Sequence, residues 1–187
     1  MSFLSAVFSI MNKQRLVILS DLWGCRTADW LSYYTNTLTP FFDIKIYDSC
    51  HLGGVKTAER DEQTIHRNFI ESGIESAVEN LLLLETQKVC ILGFSVGGYI
   101  AWKAATKGLP VSYLCAVSST RLRLEIRKPP ISKMDLFFAE NDIFKPDNAW
   151  FDFMQTEKNI FKNELHNCYI EKPIATAVCE RIMQNTK

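Results

Sequence analysis

The apolar run Val89-Cys90-Ile91-Leu92 breaks directly into Gly93-Phe94-Ser95-Val96-Gly97-Gly98, and a helical pattern follows over residues 96–107. A continuous apolar run of this length reads as a strand covered on both faces, which restricts it to the inside of a largely parallel sheet. A serine between two glycines at that point demands a strand–turn–helix corner, so tight that side chains at the glycine positions would strike neighbouring backbone. The bare G-x-S-x-G pattern arises by chance in roughly one chain of this length in twenty. Its setting therefore carries the weight: a buried strand before it and a helix after it.

The remaining pattern agrees with such a sheet. Leu16-Val17-Ile18-Leu19 reads as another buried strand, followed by Asp21-Leu22-Trp23-Gly24 and a helix from Thr27 to Leu38, stopped by Pro40. Residues 43–47 alternate as a strand, 48–60 read as a loop, and 61–85 carry one apolar helical stripe. Gly73 weakens the middle of that stripe by roughly 1 kcal/mol relative to alanine. Strands are expected at Val111–Val117 and Met134–Phe138, and helices at Asp147–Met154 and Ile174–Met183, with Pro173 at the start of the last. Short strands alternating with helices predict an α/β fold with a doubly wound, mostly parallel sheet. No repeat, linker or low-complexity tract divides residues 1–187, so a single domain is expected.

Composition removes several functions. Twenty-one basic residues balance twenty-one acidic ones, whereas a nucleic-acid-binding domain carries a basic excess. No apolar stretch approaches the roughly 18 residues of a membrane span. The apolar residues 1–11 precede Lys13 and Arg15 rather than follow basic residues, the reverse of a secretory signal. They read as an extension, with Met11 a candidate start, and the chain is expected in the cytoplasm. The six cysteines form no C-x-x-C pair, so a zinc site is not expected and reduced thiols are. Neither a cofactor nor a metal is called for.

A serine becomes a competent nucleophile beside a base, usually a histidine oriented by a carboxylate. Behind this corner the order is serine, acid, histidine, and His166 is the histidine that follows Ser95; His51 and His66 precede it and are the weaker alternatives for the base. The strand ending at Phe138 runs into Ala139-Glu140-Asn141-Asp142, at the strand end where open parallel sheets place their chemistry. Asp142 is preferred as the acid, with Glu140 the alternative. Asp147 is expected to cap the next helix, and Asp135 sits at the strand's start. The oxyanion of an acyl-transfer intermediate needs two N–H donors. Val96 is expected to supply one, and Trp23 or Leu22 the other, with these two residues also lining the substrate pocket.

These pieces resemble the α/β-hydrolase superfamily, and within it the small dienelactone-hydrolase-like serine esterases. The likeness rests on Asp21-Leu22-Trp23-Gly24, the Gly93–Gly98 corner, Ala139-Glu140-Asn141-Asp142 and His166, which together span nearly the whole chain in order. It implies a minimal α/β-hydrolase fold without a large lid. It also implies metal-free hydrolysis of a small carboxylic ester or thioester through an acyl-enzyme. Dienelactone hydrolases use cysteine where this chain has Ser95, which points toward ordinary ester chemistry. Arg121 or Arg123, in the connection after Val117, could meet an anionic part of the substrate or form a solvated surface. Phe144, Trp150, Phe151 and Phe153 could wall an acyl pocket or face a core. The alternative function is a non-catalytic binding or interaction protein on the same fold.

Overall fold

Six strands, each rich in β-branched or aromatic residues, pair in parallel in the order β2-β1-β3-β4-β5-β6. They are β1 Gln14–Leu19, β2 Phe42–Tyr47, β3 Val89–Phe94, β4 Val111–Val117, β5 Met134–Ala139 and β6 Asn159–Phe161. The computed structural model describes residues 13–56 and 61–186. The extension expected over residues 1–11 lies outside the described residues.

Alternate residues of the central strands feed two cores, as the two-residue side-chain period requires. Val17 and Leu19 of β1 join Ile91 of β3 on one face. That face is covered by α3 Glu62–Asn68, α4 Ile74–Leu84, α5 Val96–Thr106 and α6 Asn148–Met154. Leu16 and Ile18 join Cys90, Leu92 and Phe94 on the other, under α1 Leu31–Leu38 and α7 Lys172–Asn185. The chain steps from β1 outward to β2, then crosses to β3 on the other side of β1. Strand order therefore reverses between β1 and β3, and the crevice at their C-terminal ends is where open α/β sheets bind ligands.

Several expectations change in detail. The helix expected from Thr27 begins only at Leu31, because residues 25–30 form successive turns closed by Ala28 N–H to Cys25 O and Leu31 N–H to Ala28 O bonds. Within the expected loop, α2 Ser49–Leu52 forms a single turn, capped by the Asp48 carboxylate on His51 N–H. The long stripe is helical on both sides of a π-turn at Phe69–Gly73. There, Gly53 packs so close that a Cβ on it would stand 2.6 Å from the Gly73 carbonyl oxygen. Strand β6 was not expected. Its three residues are polar-flanked and only half-buried, and an edge strand that short leaves no period to read. Among the described residues, no helix is long and apolar enough to cross a membrane.

Candidate active site

Ser95 stands between β3 and α5 with φ +49° and ψ −116°, outside the regions open to ordinary L-residues. Such strain persists only where the surroundings enforce it, and here the glycines do. A Cβ on Gly93 would lie 2.5 Å from the backbone of Gly98, and one on Gly97 would lie 2.6 Å from the Leu19 carbonyl oxygen and closer still to that of Ser20. The corner is thus pressed against the end of β1. Ser95 is consequently the one partly exposed residue in the stretch Val89–Ala101.

Three side chains from separate loops meet there. Ser95 Oγ lies 3.1 Å from His166 Nε2, and His166 Nδ1 donates to Asp142 Oδ2 at 2.6 Å. Asp142 sits just beyond β5, 4 % exposed, and its Oδ1 accepts the Phe144 N–H at 3.0 Å. Burial pushes its carboxyl up. The hydrogen bonds from His166 and Phe144, with the charges of His166 and Lys145, outweigh that and hold it below the ordinary carboxylate range. The unexpected β6 explains how His166 arrives. Glu140 N–H bonds Phe161 O, and Asn141 N–H bonds Glu164 O, so the histidine loop is laced to the Asp142 loop.

Glu140, the alternative acid, is turned away. Its carboxylate accepts from Lys162 and from the Asn163 N–H, both 2.8–2.9 Å away. His51 is exposed beside a separate hollow, and His66 stands at the rim of the Ser95 cleft. Asp147 caps α6 by accepting the Trp150 N–H, and Asp135 is buried against Tyr113 and Asn185, away from the cleft.

The turn after β1 separates the two candidate donors. Trp23 N–H is bound to Asp21 Oδ1 at 2.9 Å, so it is already engaged, whereas Leu22 N–H has no acceptor among the described residues. Val96 N–H, in the first turn of α5, also has none. Leu22 and Val96 both border the cleft, and the helix terminus adds a favourable field for an anion.

That cleft is about 820 Å³ and is lined by Leu22, Trp23, Phe69, Ile70, Arg121 and Phe144 around Ser95 and His166. Of the aromatics expected to wall it, Phe144 does. Trp150 and Phe151 are instead buried in the core against Trp102 and Phe138, and Phe153 is exposed. Arg121 lies over the Tyr99 ring at 5.4 Å, and its buried Nε has no hydrogen-bond partner among the described residues. Arg123 points instead to the Thr120 carbonyl and the Phe144 ring. Phe69 and Ile70, at the start of the π-turn, also line the cleft, a role that their places in the helical stripe do not signal.

No protein-family model matches the chain, and no curated protein matches it in sequence. Solved structures do match in fold. A predicted CIB-like hydrolase from Thermoplasma acidophilum superposes with a TM-score of 0.66 at 15 % identity, over 93 % of this chain and 88 % of that one. Est1E from Butyrivibrio proteoclasticus, solved with ferulic acid bound, gives 0.64 at 10 % identity over 92 % and 89 %. An α/β serine hydrolase without lid from Xanthomonas campestris gives 0.59 at 12 % identity over 92 % and 83 %. At these identities the likeness establishes the architecture, a lidless α/β-hydrolase fold.

Proposed function

We propose that this chain, an α/β hydrolase by fold, is a serine hydrolase that cleaves a small carboxylic ester or thioester through an acyl-enzyme. The observation that carries the reading is the continuous hydrogen-bonded line from Ser95 Oγ through His166 to Asp142, set at a strained corner beside two backbone N–H groups without an acceptor among the described residues. In this reading Ser95 Oγ attacks the carbonyl carbon while His166 Nε2 takes its proton. Asp142 stabilises the imidazolium, and Val96 and Leu22 N–H groups receive the oxyanion. His166 then returns the proton to the departing alcohol or thiol, and water repeats the sequence to release the acid.

Arg121 and Leu22 are the proposed substrate contacts. Arg121 brings a guanidinium to the lining of the Ser95 cleft, which fits an ester that carries an anionic group.

A fluorophosphonate probe tests the reading. Wild-type protein should form an adduct located at Ser95 by mass spectrometry, and Ser95→Ala and His166→Ala should form none. A folded wild-type protein that stays unlabelled would refute the proposal and favour a non-catalytic binding role. Labelling that survives His166→Ala would refute the assignment of the base.

A further inference from the structure

Asp21 is a carboxylate 4 % exposed at the end of β1, beside the site but outside the Ser95–His166–Asp142 line. Its two oxygens have separate tasks. Oδ1 accepts the Trp23 N–H at 2.9 Å, which closes the turn that carries Leu22, a residue of the cleft lining. Oδ2 accepts the Tyr169 hydroxyl at 3.0 Å, across a sequence separation of 148 residues. Tyr169 follows His166 by three positions and stands edge-on to its ring, with centroids 6.3 Å apart. Phe94, the residue before Ser95, and Trp30 hold the other sides of Tyr169, while Tyr34 donates to its backbone carbonyl.

No lysine or arginine pairs with Asp21 among the described residues. Burial pushes its carboxyl up, against the Trp23 and Tyr169 bonds and the nearby charge of His166; Asp48 adds repulsion. The thiols of Cys25 and Cys50 complete its titratable surroundings. A buried carboxylate with no fixed counter-ion is costly, and Tyr169 joins this one to the loop that carries His166.

We infer that Asp21 is a positioning residue that ties the Leu22 turn to the His166 loop through Tyr169, its charge favouring the imidazolium formed as Ser95 attacks. This rests on the serine-hydrolase reading above. On that reading the molecule accepts a stability cost at Asp21 in exchange for turnover. Folded-state elevation of an acid's pKa means that stability is full at low pH and falls as pH rises through the folded value. Removing the charge therefore relieves a penalty at neutral pH.

The test compares full-length wild type with Asp21→Asn and Tyr169→Phe for hydrolysis of p-nitrophenyl butyrate, across the range in which histidine titrates. For Asp21→Asn, kcat should fall about tenfold with KM nearly constant. The acidic limb of kcat/KM should move to lower pH, and Tm should be no lower than wild type. Tyr169→Phe should lower kcat while leaving the limb in place, since the charge remains. An unmoved limb in Asp21→Asn, or activity that falls only in step with Tm, would make Asp21 purely structural and overturn the inference. Should Asp21→Asn fail to fold, Tyr169→Phe decides: an unchanged kcat overturns the tie between the loops. Fluorophosphonate labelling of the wild type separates the two claims. Without it both fall; with it and an unmoved limb, only this one does.

Discussion

Asp142 and Glu140 leave β5 two residues apart, yet the first is buried on His166 Nδ1 and the second reaches outward to Lys162. In the proposed mechanism, Asp142→Asn lowers kcat by about 10³–10⁴-fold, as loss of the orienting acid does in triad enzymes, while Glu140→Gln leaves kcat unchanged. Steady-state kinetics of the two variants would separate them, and the opposite ranking would move the acid to Glu140. Stability follows the same residue. Because the Asp142 carboxyl is depressed in the folded protein, its contribution is present above the ordinary aspartate value of about 3.9 and is lost as pH falls through the lower folded value. Asp142→Asn should therefore flatten the acid side of the Tm–pH curve, measurable by calorimetry. Arg121 gives a second contrast. Arg121→Ala should raise KM about tenfold for esters bearing a carboxylate and leave neutral esters unaffected, since a charge-assisted bond is lost only with the former. Equal KM changes for both would remove Arg121 from anion recognition.

Among the elements, the corner at Ser95 is the one whose geometry is most exposed to a single change. A methyl group at Gly97 would press on the carbonyls of Leu19 and Ser20, so Gly97→Ala must push α5 off the end of β1. Overpacking of this kind costs about 1–3 kcal/mol. Denaturant titration should show that loss together with slower fluorophosphonate labelling, because Val96 and Leu22 N–H groups separate. The corner was legible in sequence because it joins a buried strand, glycines and a helix within ten residues, all short-range signals. Strands β1, β3, β4 and β5 were legible for the same reason, each being a run of apolar residues. Strand β6 and the π-turn at Phe69–Gly73 were not, since one is set by pairing to β5 and the other by contact with residues near Gly53. The choice between Leu22 and Trp23 was likewise hidden: it depends on Asp21 taking the Trp23 N–H, a bond no spacing encodes. The meeting of Ser95, Asp142 and His166 was anticipated through chain order, whereas Asp21 and Tyr169 lie too far apart in sequence for their contact to be read.

At the scale of the whole molecule, the site lies where strand order reverses between β1 and β3, and what surrounds it decides how substrate arrives. Helices cover both faces of the sheet, leaving the C-terminal strand ends as the open side. One wall of the cleft is the π-turn segment with Phe69 and Ile70, and the other is the turn after Asp142 with Phe144. Ile70 and Phe144 are about half exposed, at 48 % and 56 %. Apolar surface already open to water needs no lipid interface to uncover it. The fold matches that of a lidless serine hydrolase. In the proposed reading, a cleft already open to water gives ordinary hyperbolic saturation with dissolved short-chain esters. A rate series with p-nitrophenyl butyrate taken through its solubility limit checks this. Hyperbolic kinetics with no rise as the emulsion forms would agree with an open cleft. A steep rise at the limit would mean that a segment closes over Phe144 and Ile70 in solution and opens at an interface.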